Sequence, residues 1–202
     1  MNIYAETNFV LEMAFRQEQC RACEAVVSLC RERRIHLIIP AYSLAEPYET
    51  LIRRHRGRRK LKNTLDTELN QLARTDSYAS DILNIQKLLN ILLQSTEDEM
   101  KRFENVKNDL IKSAEIIPLN SEIMQSSTEH RKTHDLSPQD AVVFASVLHH
   151  LQQTKPKIAC FLNKNSKDFD DPDILEVLEE YRCKMLSRFT HGYQFILNTI
   201  NN

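Results

Sequence analysis

Short apolar runs alternate with stretches of helical periodicity along most of this chain, and that alternation limits the fold more than any other feature. Ile3 to Glu6, bounded by Thr7-Asn8, reads as a first strand, and His36 to Ile39, ending at Pro40, as a second. Between them, Glu18 to Arg34 sets Ala22, Ala25, Val26, Leu29 and Cys30 at helical spacing. Such a strand, helix, strand unit closes with a right-handed crossover that leaves its strands parallel. The pattern returns downstream. Glu115 to Leu119 resembles a strand, Asn120 to His130 a helix, Lys157 to Leu162 a strand, and Cys183 to Leu186 another, with a helix from Asp171-Pro172 through Arg182 between the last two. The chain should therefore be α/β.

The middle of the chain breaks the alternation. After Pro40 a helix is expected to run to about Arg56, with Pro47 tolerated near its start. From Arg58 to Ser113 the spacing is helical throughout: Leu61, Leu65, Leu69 and Leu72, then Ile82, Ile85, Leu88, Leu89 and Leu92, then Met100, Phe103, Val106 and Leu110. Two or three helices are expected, breaking near Thr75-Asp76-Ser77 and Gln94-Ser95-Thr96. A chain of 202 residues is long enough for one domain carrying this segment, at about 57–113, as a helical insertion.

Several function classes are excluded early. Gly57 and Gly192 are the only glycines, so no Gly-rich phosphate loop is available and a nucleotide cofactor is disfavoured. The start, Met1-Asn2-Ile3-Tyr4, is not a basic segment leading into an apolar stretch, and no apolar run is long enough for a membrane helix. A cytoplasmic protein with no membrane partner is expected. The five cysteines are expected to be reduced thiols, and Cys20-x-x-Cys23 has no second pair to complete a zinc set. His130 and His134 are four apart, but Arg131 stands where the zinc protease signature needs Glu; these histidines, and His149-His150, are assigned no special duty.

Four acids carry the candidate chemistry: Glu6, Glu46, Asp140 and Asp168. Each lies at the end of an apolar run or in the first turn of an expected helix, and in an open α/β sheet those places converge at the carboxyl ends of the strands. Glu46 follows Ser43 by three and Asp140 follows Ser137 by three, so each also fits a helix capping box, a purely structural role. A first-turn carboxylate near the positive end of a helix dipole stays ionised, the form that binds a cation. Mg2+ or Mn2+ on such oxygen ligands suits phosphodiester cleavage.

Net charge is −1, yet seven of the ten residues from Arg53 to Lys62 are basic, which leaves 20 basic against 28 acidic residues elsewhere. Asymmetry of that size suggests contact with nucleic acid, although a solvated helix face is the commoner meaning of a charge run. At about 1.5 Å per residue, Arg56 would sit roughly 15 Å along a helix from Glu46. Arg53, Arg54, Arg56, Arg58 and Arg59 are therefore candidates for contact with a nucleic-acid backbone, that of RNA under the family resemblance given next.

In order, Glu6-Thr7-Asn8, Pro40 through Glu46, Asp140-Ala141-Val142-Val143-Phe144-Ala145 and Asn165-Ser166-Lys167-Asp168-Phe169 resemble the motifs of the PIN domain family, which includes RNA-cleaving toxins of toxin-antitoxin modules and RNA-processing nucleases. The resemblance covers roughly residues 1–56 and 115–186. It implies a three-layer α/β/α sandwich with a central parallel sheet of about four or five strands. It also implies a metal-dependent endoribonuclease with Glu6, Glu46, Asp140 and Asp168 as its acidic cluster on Mg2+ or Mn2+, Thr7, Asn8 and Asn165 in support, RNA as partner, and an antitoxin-like neutralising protein. A homodimer is expected from the family and from the apolar stripe between Leu61 and Leu92. The family's usual first acid is Asp. Glu6 is one methylene longer, so the alternative is a weak or inactive PIN-fold protein that binds RNA or protein.

Overall fold

Five parallel strands form the centre of the molecule in the order β3-β2-β1-β4-β5, in a computed structural model that describes residues 1–75, 78–165, 169 and 171–201. They are β1 (Asn2–Ala5), β2 (His36–Pro40), β3 (Glu115–Ile117), β4 (Ala159–Leu162) and β5 (Cys183–Leu186). The helices are α1 (Thr7–Phe15), α2 (Cys20–Arg31), α3 (Ala41–Ala45), α4 (Pro47–Leu72), α5 (Ala79–Ser113), α6 (Ser121–Thr133), α7 (Pro138–Thr154), α8 (Pro172–Glu180) and α9 (Phe189–Asn201).

Strand alternation sends side chains to two separate cores, which is what makes three layers. Ile3, Ala5, Leu37, Ile39, Cys160 and Leu162 pack on one face with residues of α1, α2, α5 and α9, while Tyr4, Ile38, Ala159, Phe161 and Cys183 pack on the other with α6, α7 and α8. Both sheet faces are covered, so the central strands are apolar throughout, as buried parallel strands must be. The one polar group in the middle of β1 is satisfied: the Tyr4 hydroxyl lies 2.8 Å from His150 Nδ1, and His150 Nε2 lies 3.2 Å from Glu115.

Chain order builds outward from β1 to β2 and β3, then returns to β4 on the other side of β1. The crevice between the carboxyl ends of β1 and β4 is thus the topological switch point, where open α/β sheets bind ligands. Glu6 follows β1 directly, and Asn163, Lys164 and Asn165 follow β4.

Several local expectations change. The first strand ends at Ala5 and α1 starts at Thr7, a helix the apolar periodicity missed because Phe9, Val10, Met13 and Ala14 are buried beside polar Glu12, which is buried as well. The helix expected after Pro40 splits at Glu46, because Pro47 has no N–H to continue α3 and instead occupies the first turn of α4. That split leaves Ser43 inside α3, its buried hydroxyl without a hydrogen-bond partner among the described residues, so the Ser43–Glu46 capping box does not form. By contrast, Ser137 caps α7 as expected, accepting the Asp140 N–H at 3.1 Å.

The helical segment is simpler than expected. α4 runs through Gly57 and α5 runs unbroken through 94–96, where the Ser95 and Thr96 hydroxyls both donate to the Leu92 carbonyl inside the helix. The break near Thr75 falls where expected, although Asp76 and Ser77 lie outside the described residues. The two helices pack antiparallel, as pairings from Tyr48 with Glu104 through Arg58 with Glu99 to the apolar cluster of Leu69, Ile82 and Leu89 require. Leu61, Leu72 and Leu88 remain exposed. Among the described residues, no helix is long and apolar enough to cross a membrane.

Candidate active site

Residues from four segments meet at the switch point in a cleft of about 290 Å³. Glu6, Thr7 and Asn8 come from the turn into α1, Glu46, Glu49 and Arg53 from the start of α4, Ser137 and Asp140 from the start of α7, and Asn165 from the loop after β4. Three of the four acids singled out in the sequence therefore line one wall system. The fourth, Asp168, lies outside the described residues.

Each carboxylate is held by a different local device. Glu6 is the N-cap of α1: its Oε2 accepts the Asn8 N–H at 2.6 Å, and its Oε1 accepts the Lys164 N–H at 3.2 Å. Lys164 is itself anchored, its Nζ donating to buried Glu12 Oε2 at 2.9 Å while Glu12 Oε1 accepts the Gln19 N–H at 2.6 Å. The Thr7 hydroxyl donates to Glu46. Asp140 Oδ2 accepts from the Ser137 hydroxyl at 2.6 Å and from Asn165 Nδ2 at 3.3 Å. Thr7 and Asn165 thus orient acids through side chains, and Asn8 acts through its backbone.

Burial in the cleft, reinforced by neighbouring carboxylates, shifts the ionisation of Glu6 and Glu46. Burial pushes Glu6 up to about 8, against the opposing Asn8 and Lys164 N–H bonds, and the charges of Asp140 and Glu46 add to the rise. Glu46 is raised as well, first by burial and then by Asp140 and Glu49, with the Thr7 hydrogen bond pulling the other way. A set of buried carboxylates is one that a divalent cation relieves, and its all-oxygen donors fit a hard divalent cation.

Glu49 was missed in the sequence, although its position three residues after Glu46 puts both on one helix face. Lys164 was missed as a support for Glu6, because its role depends on a contact across the fold, while Ser137, read in the sequence as a cap, also donates its hydroxyl to the Asp140 carboxylate. The five arginines divide. Arg53 lines the cleft. Arg58 makes a two-pronged pair with Glu99, both contacts at 3.0 Å, and donates to Thr96 at 2.7 Å, while Arg54 lies over the Phe15 ring at 4.1 Å and 3.8 Å from Glu99. Arg56 and Arg59 are exposed on α4.

The fold is a three-layer parallel α/β sandwich with an acidic cleft at its switch point. A family model for the PIN domain matches residues 3–169, and the chain belongs to the PIN domain family. That match runs through α4 and α5 as well as strands β1 to β4, and ends before β5. Members of the family are generally nucleases that use divalent metals, and they commonly bind RNA. No curated protein and no solved structure matches the chain.

Proposed function

We propose that this protein is an endoribonuclease dependent on Mg2+ or Mn2+. One observation carries the reading: Glu6, Glu46 and Asp140, far apart in the chain, line a single cleft at the carboxyl ends of β1 and β4. Glu6, Glu46 and Asp140 would hold the cation, with Asp168 proposed as a fourth ligand from the family motif. When bound, a divalent cation supplies Lewis acidity that activates water and neutralises charge on the leaving oxygen.

The chain's own groups do the rest. Thr7 holds Glu46, and Ser137 with Asn165 holds Asp140, so those carboxylates need little reorganisation when the substrate arrives. Arg53, on the cleft wall, meets a phosphate next to the scissile bond. Arg56 and Arg59, further along the same helix and exposed, extend the contact to flanking phosphates with little sequence preference. The proposal includes a cytoplasmic location, and it extends to a neutralising protein partner and a homodimer; light-scattering mass tests the last.

A second reading, a PIN-fold binding module without catalysis, is favoured by one detail: both Glu6 oxygens already accept backbone N–H bonds. Incubating purified protein with labelled RNAs in Mn2+, Mg2+ or chelator, beside Asp140→Asn, separates the two. Metal-dependent cleavage lost in the variant supports the nuclease; RNA bound but uncut by the native protein supports the binding module.

A further inference from the structure

We infer that the chain carries a second cation site, chemically distinct from the acidic cleft, formed by His134, Asp171 and Asp173 and suited to Zn2+. His134 ends α6, and Asp171 and Asp173 are the cap and first turn of α8. One ligand atom from each lies within 4.8 Å of the others. An acidic pair at a helix start is common and by itself means nothing. What sets this one apart is His134, whose side chain is 6% exposed and whose Nδ1 is fully buried with no hydrogen-bond partner among the described residues. A buried ring nitrogen left unpaired is costly. It sits 3.8 Å from Asp171 Oδ2, too far for a hydrogen bond but suitable for two ligands sharing an ion.

The ligands are sorted for this role. Asp171 Oδ1 accepts the Asp173 N–H at 3.0 Å as the helix cap, which leaves Oδ2 facing His134. Stacking of the His130 ring on His134, with centroids 5.7 Å apart, and the edge contact of His134 on Phe144 hold the ring in place. With bonds of about 2.0–2.2 Å, tetrahedral zinc ligands stand roughly 3.3–3.5 Å apart, so closing the site takes shifts on the order of 1 Å or less per ligand. Water completes the coordination. An imidazole with two carboxylates suits zinc and neighbouring transition metals, whereas Mg2+ prefers the all-oxygen cleft.

Such an ion would tie the end of α6 to the start of α8. His134 lies six residues before Asp140, and Asp171 six residues after Asn165, so the ion would clamp the two segments that deliver those side chains to the cleft. The site shares no residue with the cleft and does not depend on the nuclease reading.

The test is zinc retention by the full chain. Protein stripped with chelator is titrated with Zn2+ by calorimetry in millimolar Mg2+, and bound zinc is counted by elemental analysis after gel filtration. Native protein, His134→Gln, Asp171→Asn, Asp173→Asn and Glu46→Gln are compared. Asparagine still caps a helix, and Asp173 is exposed, so these two variants keep the fold if His134→Gln does not. The expected result is one zinc per chain in the native protein and Glu46→Gln, with affinity at least about 100-fold weaker in each folded variant of the triad, the upper end of what losing even an outer partner costs. No zinc in the native protein, or native-like affinity in any folded variant of the triad, overturns the inference.

Discussion

Replacing Glu6 with Gln should change how stability depends on pH. Glu6 is held up near 8 by burial first and by neighbouring charge second, against an ordinary carboxyl value of 4.5. Between those two values the folded state holds a proton that the unfolded chain has released. The stability associated with this group is therefore fully present below 4.5 and is lost as pH rises towards 8. At about 1.36 kcal/mol per unit, the loss from pH 5 to pH 7 comes to roughly 2–3 kcal/mol. Glu6→Gln has no proton to lose. Its amide also places a donor against one of the Asn8 and Lys164 N–H groups, a penalty of about 1–3 kcal/mol that does not vary with pH. Urea unfolding of both proteins in chelator from pH 5 to pH 9 should show the stability of Glu6→Gln rising relative to native by about 2–3 kcal/mol between pH 5 and 7 and levelling off above 8. Glu46, also raised, titrates in both proteins and largely cancels. Parallel curves would refute the assignment of a buried, proton-holding Glu6. Under the nuclease reading, millimolar Mn2+ recovers the native protein's lost stability above pH 7 and helps Glu6→Gln less, because the cation takes the place of the proton.

Three further substitutions probe packing. A Cβ at Gly57 meets nothing within 4 Å, in the interior of α4, so Gly57→Ala should raise stability by about 0.5–1 kcal/mol in thermal or urea unfolding. A Cβ at Gly192 would come within 2.3 Å of the buried Leu162 side chain at the end of β4, so Gly192→Ala should cost about 1–3 kcal/mol by the same measurement. Arg58→Ala leaves the buried Glu99 carboxylate without its two-pronged partner and should destabilise by about 2–4 kcal/mol, with hydrogen-exchange protection lost first in α4 and α5.

The sheet was legible because its strands are buried on both faces and so read as short apolar runs ending at turn signals. The start of α7 was legible because Ser137, Pro138 and Asp140 satisfy local capping rules that depend only on near neighbours. Legibility failed where a local rule was outvoted. Ser43 and Glu46 have capping spacing, but Pro40 and Pro47 set the ends of α3 and turned Ser43 into a buried interior residue. The charge run from Arg53 to Lys62 reads as one basic surface, yet Arg54 and Arg58 turn inward to Glu99 while Arg53 reaches the cleft, because a helix distributes consecutive residues around its axis.

Sequence alone determined the alternation of strand and helix, hence a parallel sheet, and marked acids at the ends of its elements, since periodicity and turn chemistry act over a few residues. Only the tertiary structure decided that Glu6, Glu46 and Asp140 share one cleft, that the Lys164 N–H reaches Glu6, and that His134 faces Asp171 across two helix ends. These pairings join residues tens of positions apart. They follow from the order β3-β2-β1-β4-β5, which brings the ends of β1 and β4 together at the one point where the chain reverses its direction of building.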